Sequence, residues 1–168
     1  LTTQSHWTPA YIGVGSNLDD PVAQVRAALR ALAELAASQL VVASPLYSNP
    51  PMGPQEQPDY VNAVAALLTR QGAEELLLSL QELERNLGRV RTAGDRWGPR
   101  VIDLDLLIYG VTTCSVPGLD LPHPGIAERN FVLFPLCDIA PRLAVPGQGM
   151  VQELAGRVSD AGLVVVQS

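Results

Sequence analysis

The chain has 168 residues, 47% of them apolar, which suits one domain with a real core. A net charge of −6 argues against a general nucleic-acid or anionic-membrane binder, because those need a basic footprint. No apolar run approaches the ~20 residues of a membrane helix, and the opening LTTQSHWTP has neither a basic start nor an apolar core, so no signal or transit peptide is expected. Cytoplasm is the expected location.

Residues 1–9 read as a flexible N-terminal extension. AYIGVGS (10–16) reads as a strand, after which Asp20 supplies an N-cap and Pro21 the first position of a helix running to about Ala37. Val22, Val25, Leu29, Leu32 and Leu35 recur at steps of three and four and give that helix one core-facing stripe. LVVASPLYS (40–48) and YVNAVAALLT (60–69) are rich in β-branched and aromatic residues and predict strands. Between them NPPMGPQEQP holds four prolines and a glycine in ten residues, more than a hairpin needs, and such a loop suggests function, for instance as a lid. GAEELLLSLQELERNL (72–87) predicts the second helix, with Glu74 and Glu75 in its first turn and Arg85 in its last, matching the helix dipole. GRVRTAGDRWGP then forms a glycine-rich second loop, and VIDLDLLIYG the next strand. FVLFPLCDIAP and GMVQELAGRV predict short helices, and LVVVQ an edge strand. The order β-α-β-β-α-β is that of a single α+β domain of ferredoxin-like type, a sheet with helices packed on it. Cys114 and Cys137 fit no metal or redox spacing and read as reduced thiols without a role.

Asp103 and Asp105 are one residue apart on an apolar strand. Their side chains therefore share a face, with α-carbons about 7 Å apart. Unit charges about 5 Å apart repel by roughly 3 kcal/mol at an effective dielectric of 20, so a positive partner is required. Either a divalent cation supplies it, magnesium being suited to one or two carboxylates plus phosphate oxygens, or Arg96 or Arg100 does so in a buried ion-pair network. The distribution of basic residues favours the cation. All 11 are arginine, and Arg85, Arg89, Arg91, Arg96 and Arg100 fall within sixteen positions of an acidic chain. Arginines beside a magnesium pair suit a polyphosphate whose bond is being broken. The absence of lysine and of a GxxxxGK[ST] loop excludes a P-loop enzyme. Tyr60 and Asn62 share a strand face, so a flat ring could stack on the phenol and hydrogen-bond the amide. His123, Arg129 and Phe131 follow a proline-bounded turn and add a proton carrier, a cation and an aromatic.

From about Ala10 to Pro141 these stretches resemble the 6-hydroxymethyl-7,8-dihydropterin pyrophosphokinase family. The carriers are YIGVGSNL, NPPMGPQEQPDYVNA, GRVR with RWGPRVIDLDLLIYG, and LPHPGIAERNFVLFPL, specific in this order and spacing. The resemblance implies transfer of pyrophosphate from ATP to the hydroxymethyl oxygen of the reduced pterin, with release of AMP and two Mg2+ ions bridging the phosphates. It implies that Asp103 and Asp105 ligate the metals, that Tyr60 and Phe131 sandwich the pterin, and that Asn62 bonds its edge. Asn49, Pro50 and Met52 line the pterin pocket through the loop backbone. Arg89 and Arg100 serve catalysis at the phosphates, and Trp97 belongs to the closing loop beside both substrates. Gln81, Glu84, Arg91, Leu106, His123 and Arg129 contact ATP. The chain departs from the family pattern at Thr92, at Gly118 and Asp120, and at Pro124. Two other readings use the same residues: a binding module that sequesters a pterin or nucleotide, and a magnesium-dependent phosphohydrolase with water as acceptor. The expected partners are small molecules, with neither nucleic acid nor membrane, and the expected state is a monomer. Residues beyond about Gly147 lie outside the resemblance and carry no expected function.

Overall fold

The computed structural model describes residues 3–53, 56–89 and 100–167. The first half holds β1 (Thr3–Ser16), α1 (Pro21–Ala33), β2 (Ser38–Ala43), β3 (Tyr47–Asn49), β4 (Tyr60–Gln71) and α2 (Ala73–Asn86). The second holds β5 (Asp103–Tyr109), β6 (Cys114–Val116), β7 (Leu119–Leu121), a 3-10 turn at Ile126–Glu128, α3 (Asn130–Ile139), β8 (Ala144–Val145), β9 (Gly149–Met150), α4 (Val151–Ala155) and β10 (Val164–Val165).

β1 lies between β4 and β5 and is antiparallel to both. β4 also pairs with β2 along Ala65–Thr69 and with β3 along Tyr60–Asn62, and β10 closes that side on β3. The α+β, ferredoxin-like βαββαβ order therefore stands, with its second strand in two pieces. Pro45 causes the break, since it has no N–H for the ladder. Ser44 bridges the gap: its N–H donates to Val64 O at 2.9 Å, and its Oγ accepts from Val64 N at 2.9 Å.

Both faces of the sheet are covered, as the apolar runs at 63–68 of β4 and 106–109 of β5 require. On one face Ala10, Ile12, Val14, Ala63, Ala65, Leu67, Leu104 and Leu106 meet Val25 and Leu32 of α1 and Leu76 and Leu80 of α2. On the other, Val64, Leu107 and Ile108 meet Val132, Leu133 and Leu136 of α3 and Val151 and Leu154 of α4.

Several boundaries differ from the sequence expectations. Residues 3–9 are no flexible extension but the first half of β1, where Thr8 and Pro9 pair with Thr69 and Leu68, and Arg70 Nε donates to Gln4 O at 2.8 Å. Asp20 caps α1 through Ala23 N at 3.3 Å as its residue type predicts. The helix nevertheless stops at Ala33, short of Ala37, which has the left-handed φ of 54°; the carbonyls of Ala36 and Ala37 accept from Gln71 Nε2 and Arg70 N of β4, each at 2.8 Å. The β6–β7 hairpin was not foreseen. Cys114 and Cys137 are both free thiols. Among the described residues no helix is long and apolar enough to cross a membrane.

The topology sets one end of the sheet apart. The last residues of β1 and β3 and the first residues of β4 and β5 come together there, so Ser16, Asn49, Tyr60 and Asp103 share an edge.

Candidate active site

Strand register builds the site. Gly15 stands opposite Asn62 of β4 and opposite Asp103 of β5, so the three form one row across the sheet, and Gly13 stands between Val64 and Asp105 in the next row. Asp103 and Asp105 share the face of Leu107, on which α3 packs, while Leu104 and Leu106 point to the α1–α2 core. The glycines keep this face open. A Cβ on Gly15 would lie 2.5 Å from Asn62 Oδ1, closer than real Cβ contacts come. Gly15→Ala is expected to turn the Asn62 amide away and raise the Kd of whatever binds that amide by about tenfold, the value of one hydrogen bond. Equilibrium titration of the variant checks this, and an unchanged Kd would place the ligand elsewhere.

Among the described residues Arg89 pairs with Asp103, and the expected alternative Arg96 lies outside them. The Arg89 Nη1 donates to Asp103 Oδ1 and also to Glu84 Oε2 of α2. Arg89 and Glu84 are buried, with side chains 6% and 2% exposed, whereas Asp103 remains a third exposed. Burial disfavours the guanidinium charge, but Asp103 and Glu84 outweigh it and raise the Arg89 pKa. This single cation does not serve both acids. Burial, then the charge of Asp103, then that of Glu84, push the Asp105 carboxyl up to about 7, against the opposing charges of Arg129 and Arg89. A carboxyl so raised is one whose charged form the buried, acidic surroundings disfavour.

The α3 side supplies the remaining groups. His123 N donates to Leu107 O at 2.8 Å, which ties the proline-bounded turn to β5, and His123 Nδ1 accepts from Gly125 N at 3.0 Å, leaving Nε2 for a ligand. Burial and the charge of Arg129 hold the imidazole pKa below its ordinary value, so it is neutral. The Arg129 guanidinium lies 6.0 Å from the centroid of the Phe131 ring. Gly125 makes room for it, since a Cβ there would come within 2.6 Å of Arg129 Nε. On the β4 side burial and the charge of Asp103 raise the Tyr60 pKa, so the phenol stays protonated beside the carboxylate.

A cavity of about 470 Å3 opens between the first loop and α3, lined by Asn49, Pro50, Met52, Arg129 and Phe131 together with Val158, Ser159 and Ala161. The last three come from the segment to which the sequence assigned nothing. Asn130 Nδ2 holds it in place, donating to Ser159 O at 2.9 Å and Ala161 O at 3.2 Å. Asn17, which the sequence showed only within the stretch YIGVGSNL, is buried and joins both loops: its Nδ2 donates to Gln57 Oε1 at 3.1 Å and Pro58 O at 3.0 Å, and its Oδ1 accepts from Arg100 N at 2.8 Å.

The structure thus brings together Arg89, Asp103, Asp105, Asn49, Tyr60, Asn62, His123, Arg129 and Phe131. Glu84 is tied to Arg89, Gln81 lies one turn away on α2, and Arg100 follows the second loop. The Leu106 side chain is in the core on the opposite face. Arg91, Arg96 and Trp97, with most of the second loop, lie outside the described residues.

Comparison with known proteins gives the family. Residues 11–141 match the family model for 7,8-dihydro-6-hydroxymethylpterin-pyrophosphokinase (HPPK). A Haemophilus influenzae protein named 2-amino-4-hydroxy-6-hydroxymethyldihydropteridine pyrophosphokinase is 43% identical over 155 residues, 92% of this chain and 96% of that one. A Pseudomonas aeruginosa protein of the same name is 46% identical over 144 residues, 86% of this chain and 88% of the other. Among solved structures, wild-type Plasmodium falciparum HPPK-DHPS with pteroate superposes with a TM-score of 0.71 over 94% of this chain, at 11% identity, which shows the fold alone. The chain spans 43% of that longer protein. The family match over most of the length and the near full-length relatives lead to one conclusion: this chain belongs to the 7,8-dihydro-6-hydroxymethylpterin pyrophosphokinase family.

Proposed function

We propose that the row formed by Asn62, Gly15 and Asp103 is where this chain performs its family's reaction, with the pterin on the Asn62 side and the ATP phosphates on the aspartate side. That reaction is transfer of pyrophosphate from ATP to the hydroxymethyl group of 6-hydroxymethyl-7,8-dihydropterin, giving AMP and the pterin diphosphate in folate biosynthesis. The observation that carries the assignment is the gap over Gly15, flanked by an amide on one strand and a carboxylate on the other.

Asp103 and Asp105 fit two Mg2+ ions: they are two carboxylates on one face, and burial together with the charge of Asp103 disfavours an Asp105 anion that has no cation beside it. Magnesium is commonly held by one or two carboxylates together with phosphate oxygens and water. When bound, the ions neutralise phosphate charge and orient the transferred group. Everything else is the work of the chain. Arg89 is fixed by Glu84 beside Asp103, and its Nε has no partner among the described residues, so a donor remains for a phosphate oxygen. Arg100 acts with it at the phosphates; Arg91 is assigned to ATP and Trp97 to both substrates by the family pattern alone, since both lie outside the described residues. Neutral His123 presents Nε2, and Arg129 its charge, to the nucleotide. Tyr60 and Phe131 hold the pterin ring between them, Asn62 bonds its edge, and Asn49, Pro50 and Met52 close the pocket. Catalysis is then positioning and electrostatics: the hydroxyl is held in line with the β-phosphorus while charge spreads over oxygens already facing cations. The same reading has the chain working in the cytoplasm as a monomer, with small-molecule partners only.

The deciding experiment supplies ATP, Mg2+ and the hydroxymethyl dihydropterin and identifies the nucleotide product. AMP with a pterin diphosphate supports the proposal; ADP with a pterin monophosphate, or ATP hydrolysis that ignores the pterin, removes it. Stacking on an aromatic ring is worth about 1–3 kcal/mol, so Phe131→Ala is expected to raise the pterin Kd roughly tenfold or more and leave the ATP Kd in place. Calorimetric titration of each substrate reads both values. A phosphohydrolase acting on water would be indifferent to Phe131.

A further inference from the structure

Asn62 and Asn49 occupy neighbouring strands in register: Tyr47 stands opposite Asn62, and Asn49 opposite Tyr60. The two amides are therefore diagonal neighbours on one face, within reach of each other. Both are buried, at 9% and 5% exposure, so neither can rely on water to satisfy it. An amide's oxygen and nitrogen are nearly alike in shape, and its orientation follows from the network it joins. Here the network begins at an atom with no ambiguity. Pro50 O is a carbonyl and can only accept, and Asn49 Nδ2 lies 3.1 Å from it. Asn49 must therefore turn its Oδ1 the other way, where it meets Asn62 Nδ2 at 2.6 Å. Asn62 is thereby left with Oδ1 as its outward atom, over Gly15, where a Cβ would come within 2.5 Å of it.

We infer that Asn49 is a positioning residue that fixes the polarity of the Asn62 amide, so that the site presents an acceptor and selects a heterocycle whose edge carries N–H donors. The inference rests on the functional reading above and deepens it. A pterin offers donors at its ring N3 and at its 2-amino group. An analogue with a carbonyl in place of that amino group offers an acceptor instead, and meets oxygen with oxygen. Asn49 thus acts through its side chain, in addition to the loop backbone, and it is the Pro50 carbonyl at the start of the loop that sets the direction of the relay.

The test measures kcat/KM for the hydroxymethyl dihydropterin and for its 2-oxo analogue, together with the KM for ATP, in the unaltered chain and in Asn49→Ala and Asn49→Asp. Asn49→Ala frees the Asn62 amide to turn over, and the preference for the pterin is expected to fall by about tenfold or more with the ATP KM unchanged. Asn49→Asp still accepts from Asn62 Nδ2 and is expected to keep the preference. Asn49→Leu, which fills the space without an acceptor, carries the same expectation as Asn49→Ala should that variant fail to fold. A preference unmoved by the Ala and Leu changes, or lost equally in Asn49→Asp, overturns the relay while the functional reading stands. An unaltered chain that does not turn over the pterin overturns that reading, and the relay with it.

Discussion

Replacing Asp103 and Asp105 by alanine is expected to leave the fold intact and to lower turnover by at least about a thousandfold, the loss of some 4 kcal/mol of transition-state stabilisation. The fold should survive because neither side chain belongs to either apolar cluster, and Asp103 is the exposed member of its ion pair, so Arg89 keeps Glu84. Circular dichroism and steady-state rates check the two halves, and turnover within tenfold of the unaltered chain would sink the metal assignment. pH separates the two acids. The folded Asp105 carboxyl is raised from 3.8 to about 7, so it binds a proton that the unfolded chain has already lost. The stability it contributes is full below about pH 4 and is lost as pH rises through 7. Asp105→Asn should therefore melt higher than the unaltered, metal-free chain at pH 8, with the advantage shrinking toward pH 5; a constant difference at all pH values would contradict the burial argument. For the same reason magnesium–ATP binding should release protons near neutral pH and tighten as pH rises from 6 to 8.

The second large effect concerns Arg89, which is expected to matter for both stability and turnover. Arg89→Ala removes the guanidinium paired with Glu84, which is 1% exposed, and breaking a buried ion pair by deleting one partner costs about 3–5 kcal/mol. For a chain of this length the melting temperature should drop on the order of 10 °C. Turnover should fall as well, since Arg89 sits beside the phosphate side of the row, but the fall has a separate cause. Changing Arg89 to Met and Glu84 to Leu together removes both buried charges and should restore most of the stability, because apolar side chains of similar volume commonly replace a buried ion pair without loss. It should not restore turnover. A single variant that melts as the unaltered chain does would show that Glu84 is not held as an anion, and a double variant with full turnover would remove Arg89 from the chemistry.

Local patterns decided much of this protein. Proline after an N-cap aspartate starts α1, the apolar periodicity defines the buried faces of α1 and α2, and one-residue spacing on a strand puts Asp103 and Asp105 on the same side, all of it short-range stereochemistry that needs no partner strand. The motifs around Tyr60, His123 and Arg129 were legible for the same reason, and they carried the family. Only the tertiary structure could decide what crosses between strands. Register determines that Gly15 separates Asn62 from Asp103 and that Asn49 turns the amide of Asn62, and packing of α2 brings Arg89 to Asp103. It also joins Asn17 to both loops and brings residues 158–161 to the cavity, which no spacing along the chain announces. The physical reason is range: side-chain periodicity is encoded within a few residues, whereas hydrogen bonds and ion pairs between distant segments depend on strand pairing and packing that sum over the whole chain.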